Sequence, residues 1–117
     1  MQIFDNIISD RDSLYAVSGG PCTSPQDAEM FVDLLCENKK FAKATHHSWG
    51  LLSATGPMKN DDGEDGAGIL IVRALQQANL HGHVVVVTRW FGGTLLGDAR
   101  FQHVKNAVQH YLLHRDQ

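Results

Sequence analysis

An α/β fold, with a sheet of about four strands and three helices, follows from two observations on the sequence. Three stretches place apolar residues at i, i+3, i+4 spacing, and between them lie short runs rich in β-branched and apolar residues. The chain has 117 residues, 43% hydrophobic and 20% charged, which is enough for one core and too few for two. A single domain over residues 1–117 is therefore expected.

The first strand is short and centres on Ile7 and Ile8, and the second covers about Ser13 to Ser18. The first helix opens at Ser24, a capping hydroxyl, with Pro25 at the first helical position, and runs through Ala28, Phe31, Val32 and Leu35 to end between Glu37 and Lys40. A third strand fits Thr45 to Ser53. The second helix carries Ala67, Leu70, Ile71, Ala74, Leu75 and Ala78 on one face and stops at Asn79 and Gly82. A fourth strand covers His83 to Thr88. The third helix takes Asp98 as N-cap and lines up Phe101, Val104, Ala107, Val108, Tyr111 and Leu112.

Because Val84 to Val87 are all apolar, that strand needs cover on both faces and belongs in the middle of the sheet. The helices supply one cover. In a two-layer arrangement the other face, with Trp49, Leu51 or Leu52 beside a valine pair, is an apolar patch that a second copy, a further domain or a protein partner would bury.

A net charge of −3 excludes bulk electrostatic coating of nucleic acid or an anionic membrane. The N-terminus lacks a basic segment followed by an apolar run, and the longest apolar stretch is far too short to span a bilayer, so the expected location is the cytosol. Cys22 and Cys36 are expected to be free thiols, Cys36 lying on the apolar side of the first helix.

Two segments depart from ordinary core or loop patterning. The acidic loop Asn60-Asp61-Asp62-Gly63-Glu64-Asp65-Gly66 precedes the second helix, where carboxylates suit the helix dipole. A calcium loop fails on spacing, since Asp65 falls at its glycine position and Ile71 at its closing glutamate. The second segment, Arg89-Trp90-Phe91-Gly92-Gly93 through Gly97, leaves the central strand. Gly92 and Gly97 have the glycine spacing of a phosphate loop, but Asp98 and Ala99 stand where that loop needs Lys and Ser or Thr. Gly66-Ala67-Gly68 begins a dinucleotide fingerprint and then puts Ile71 at the third glycine. Arg89, Trp90 and Phe91 are residue types that anchor interfaces or plug a core end. Among the seven histidines, His110 and His114, and His81 and His83, are suitably spaced, but no cysteine or acid joins them as metal ligands, and neither a metal nor a cofactor is expected. Lys39, Lys40, Lys43, His46 and His47 form the one basic stretch.

Lys43-Ala44-Thr45-His46, Asp61-Asp62-Gly63-Glu64, Val85 to Gly93, Leu95-Leu96-Gly97 and Arg100-Phe101-Gln102-His103 resemble, in order and spacing, the domain shared by eukaryotic IMPACT and bacterial YigZ-like proteins, over about Asp10 to Leu112. The Arg-Phe-Gln-His segment looks like the eukaryotic branch; Ile69 and Asp98-Ala99 depart from the family's usual glycine and Pro-Asp. The resemblance implies a two-layer α/β sandwich with a mixed sheet, like the second domain of a small-subunit ribosomal protein, and no enzymatic activity. It implies a protein-binding role in translational control under amino-acid starvation, by competition for the activator of the kinase that phosphorylates initiation factor two, with actin as a further partner. Family members of that kind carry an RWD domain ahead of this one, and no stretch here matches it. Candidate binding residues are His46, Asp61, Asp62, Gly63, Glu64, Arg89, Trp90, Phe91, Gly92, Gly93 and Arg100, with the acidic loop and the Arg-Trp-Phe turn expected to meet around one concave surface. The alternatives are weak RNA or ribosome contact through the basic stretch and Arg89, and an enzyme using Asp61, Asp62 or Glu64 as acid or base.

Overall fold

A computed structural model describes residues 1–116. In chain order the elements are β1 (Gln2–Asp10), β2 (Ser13–Pro21), α1 (Pro25–Leu35), α2 (Lys39–Ala42), β3 (His46–Ser53), β4 (Gly56–Asn60), α3 (Ala67–Gln77), β5 (His83–Trp90) and α4 (Ala99–His114). The strands form one sheet in the order β1-β2-β5-β3-β4, and every neighbouring pair is antiparallel. The α/β sandwich holds, with five strands instead of about four, an antiparallel instead of a mixed sheet, and four helices instead of three. The strand without a sequence signal is β4, whose Gly56-Pro57 start reads as a turn; it lies at a sheet edge, where a missing proline N–H is tolerated. The extra helix, α2, is a single turn begun by Asn38, whose side chain accepts from the Lys40 amide at 2.9 Å.

Local chemistry sets the helix ends. Ser24 Oγ accepts from the Asp27 amide at 3.1 Å, with Pro25 behind it. Asn79 adopts a left-handed φ of 52° just past α3, and the amides of Asn79 and Leu80 donate to the carbonyls of Gln76 and Leu75. This is a Schellman ending with asparagine in place of glycine. Asp98, expected to cap α4 with its side chain, makes no capping bond and is itself in the helical region (φ −69°, ψ −18°).

Alternation along β5 divides the core in two. Val85 and Val87 pack with Tyr15, Val17, α3 and α4, including Ile71, Leu75, Val108 and Tyr111. Val84 and Val86 pack with Ala16, Trp49 and Leu51 under Ala28 and Leu35 of α1 and Phe41 of α2. The expected open face is therefore absent: α1 and α2 cover it, and Val84 to Val87 are all at most 2% exposed. Association of copies through that face is excluded with it. No helix among the described residues is long and apolar enough to cross a membrane.

Two buried histidines tie stability to pH. His47 donates from Nε2 to the Phe41 carbonyl and accepts at Nδ1 from the Thr88 hydroxyl, each at 2.9 Å. His83 Nε2 shares a hydrogen bond of 2.6 Å with the Tyr111 hydroxyl, and burial pushes that phenol up to about 12. Burial holds both histidines below their ordinary 6.5, so folding favours their neutral forms. The unfolded chain takes up protons first; stability is full above pH 6.5 and falls as the pH drops from there toward the lower folded values. Unfolding free energies from urea titrations between pH 7.5 and 5 should fall, by at most about 1.4 kcal/mol per pH unit for each histidine. A His83→Gln variant should flatten the profile.

Candidate functional site

The sheet register builds the site. Arg89 of β5 lies between Tyr15 of β2 and His46 of β3, and all three project from the α3–α4 face. The loop between β4 and α3 then brings Glu64 over Arg89. Glu64 is 3% exposed and Arg89 6%, and Arg89 Nη1 donates to both carboxylate oxygens at 3.0 and 3.1 Å. Arg89 Nη2 reaches Ser13 Oγ at 3.4 Å, and its Cζ stands 5.7 Å from each of the Tyr15 and Phe91 ring centroids. From the start of α4, Arg100 Nη1 donates to Glu64 Oε1 at 3.3 Å, while His46 Nε2 lies 3.6 Å from Oε2. Above this cluster opens a depression of about 470 Å³, walled by Gly63, Phe91 and the loop from Leu95 to Gly97.

Of the proposed binding residues, the structure brings His46, Gly63, Glu64, Arg89, Phe91 and Arg100 around this depression. Asp61 and Asp62 lie outside it. Asp61 caps α3, accepting from the amides of Gly68 at 2.8 Å and Gly66 at 3.1 Å. The Asp62 carboxylate accepts from the His47 amide at 2.7 Å, and its carbonyl accepts from His46 Nδ1–H at 2.8 Å. With Ser48 Oγ donating to the Asp61 carbonyl at 2.7 Å, three successive β3 residues hold the acidic loop down. Trp90 also turns away, because consecutive strand residues face opposite sides. Its Nε1–H donates to the Lys40 carbonyl at 2.9 Å, and its ring meets Phe41 edge-on.

Gly92 and Gly93 shape the turn. The Gly92 amide donates to Ser13 Oγ at 3.1 Å, and a Cβ there would sit 2.2 Å from the Asp12 carbonyl carbon, so only glycine lets the turn lie against the β1–β2 hairpin. Gly93 has a φ of 95°. Leu95, which no sequence signal separated from core leucine, is 84% exposed on the rim.

A cysteine–histidine contact also emerges: Cys36 Sγ lies 3.4 Å from His47 Nε2. That nitrogen carries its proton to the Phe41 carbonyl, so it offers the thiol no base, and burial raises the thiol's pKa.

The same arrangement of elements occurs in a crystal structure of a hypothetical protein, which superposes with a TM-score of 0.81 at 20% identity over 96% of this chain and 57% of that one. The two-domain translational regulator Yih1 matches with a TM-score of 0.53 and 28% identity over 91% of this chain and 43% of its own. In sequence, Protein IMPACT from Homo sapiens is 33% identical over 93% of this chain, and that from Xenopus laevis 35% identical over 91%. The chain spans 36% of the length of each of these two relatives. The Impact N-terminal domain profile matches residues 11–112, a range that runs from the β1–β2 turn to the last turns of α4 and takes in every wall of the depression. The chain therefore belongs to the Impact N-terminal domain family.

Proposed function

We propose that this domain is a non-enzymatic protein-binding module of translational control, acting in the cytosol by competing for the activator of the initiation factor two kinase. The observation that supports it is similarity over nearly the whole chain to Protein IMPACT and to Yih1, whose structure is described as that of a translational regulator. The site suits binding: the buried ion cluster supports Phe91, 45% exposed, through Arg89, and Leu95 extends this apolar rim beside the partly exposed Arg100.

The test is direct binding of the purified chain to the purified activator, with initiation factor two phosphorylation followed in amino-acid-starved cells expressing the chain. Saturable, nuclease-resistant binding and lowered phosphorylation are expected. Phe91→Ala should weaken binding by about 2 kcal/mol, or about thirtyfold. No binding at concentrations on the order of 100 μM rejects the reading.

RNA or ribosome contact is the second reading, supported by the exposed Lys39 and Lys43 at α2. Lys40 of the same stretch is engaged with Asp5 at 2.7 Å and lies over the Trp90 ring. Association lost on nuclease treatment and restored by added RNA selects this second reading.

A further inference from the structure

We propose that the depression over Glu64 takes the carboxylate of an acidic residue in a partner peptide whose next side chains are apolar. The proposal rests on the protein-binding reading and names the chemistry such a partner presents.

Charge balance selects a carboxylate. The floor holds two guanidiniums, Arg89 and Arg100, against one carboxylate, Glu64. Arg89 spans both Glu64 oxygens, so Arg100, with 28% of its side chain exposed and one nitrogen on Oε1 at 3.3 Å, keeps the rest of its fork for another acceptor. With the His46 ring, 3.6 Å from Glu64 Oε2, counted as neutral, one positive charge is in excess over a nearly dry carboxylate, and a second carboxylate brings the set to neutrality. A phosphate dianion would instead leave net negative charge beside Glu64, which is unfavourable where water is scarce.

The rim adds two features. None of the backbone amides of residues 93–98 has an acceptor among the described residues, and Gly93 and Gly97 hold positive φ of 95° and 58° within that loop. Such a run of amides beside an arginine is a surface for peptide or carboxylate oxygens. Phe91 and Leu95 flank it with exposed apolar surface, which a leucine-like neighbour of the acidic residue would cover.

The test is an amide NMR titration with acetyl-Glu-Leu-Leu-amide, its Gln-Leu-Leu and Glu-Ser-Ser counterparts, and a phosphoserine-Leu-Leu peptide. The glutamate peptide should give saturable shifts at residues 93–98 and at Arg100. The glutamine peptide, having lost a charge-assisted bond, should bind about tenfold more weakly. Glu-Ser-Ser should also be weaker. Arg100→Gln should cost about tenfold with the rest of the spectrum unchanged. If Arg100→Gln does not fold, Leu95→Asp at its exposed position serves instead and should abolish the shifts. Equal binding of the glutamine peptide, tighter binding of the phosphoserine peptide, or no saturable shift at concentrations on the order of 10 mM overturns the proposal. Competition separates the two readings. An activator that binds without being displaced by the glutamate peptide defeats this site and leaves the module reading standing; peptide binding with no activator binding does the reverse.

Discussion

Glu64→Ala should destabilise the domain by about 3–5 kcal/mol, because it leaves a guanidinium buried without its counter-ion. Arg89 is 6% exposed, and its remaining side-chain partner is Ser13 Oγ at 3.4 Å; Nε has no partner among the described residues. Arg100, more exposed, is free to turn to water, but Arg89 is fixed between Tyr15 and Phe91 and cannot. Against a total stability of about 5–15 kcal/mol the loss is large, and thermal melting should fall by about 15 °C. Replacing both partners, as in Glu64→Leu with Arg89→Met, should recover most of it, since an apolar pair of similar volume avoids the desolvation penalty. A Glu64→Ala variant within about 0.5 kcal/mol of the parent would show that the pair is not the anchor of the turn.

How much of this could be read in the sequence differs between elements. Helices α1, α3 and α4 declared themselves by apolar spacing, and the central place of β5 by four successive valines. The cover over Val84 and Val86 did not. In the sheet order β1-β2-β5-β3-β4, strands β2 and β3 are parallel to each other with β5 between them, and β4 and β5 are parallel with β3 between them. A crossover of the same hand for both would put α1 and α3 on one face. They lie on opposite faces, so the two crossovers have opposite hands and one of them departs from the nearly universal right-handed rule. No spacing pattern in a single helix carries that information.

The site was half legible, for a comparable reason. Composition put four carboxylates in one loop, yet only the backbone decides which of them face Arg89. Asp61 and Asp62 are spent on amides of α3 and β3, and Glu64 alone turns inward. Period-two alternation was available to separate Arg89 from Trp90, since it needs only the knowledge that the strand continues through both. Here the β strand runs on to Trp90, two residues past the stretch that β-branching marked.

Val86→Glu should leave the chain largely unfolded at neutral pH. Val86 is 0% exposed and packed beneath α1 and α2 with Trp49 and Leu51, so the new carboxylate has neither water nor a cation within that cluster. Burying an unpaired charge costs several kcal/mol even after relaxation, and overpacking adds about 1–3 kcal/mol more. Together these approach the whole stability of a domain this size. Val86→Ala, which only empties volume, should cost about 2 kcal/mol and still fold. Met30→Glu, on the outward side of α1 with 66% exposure, should change stability by less than about 0.5 kcal/mol. Near-ultraviolet circular dichroism and urea unfolding separate the three. A Val86→Glu chain that keeps native dichroism and unfolds cooperatively near the parent midpoint would mean that α1 and α2 do not seal this face. The acidic side chain reaches solvent only if they lift away, so its effect on folding measures how firmly that second cover is held.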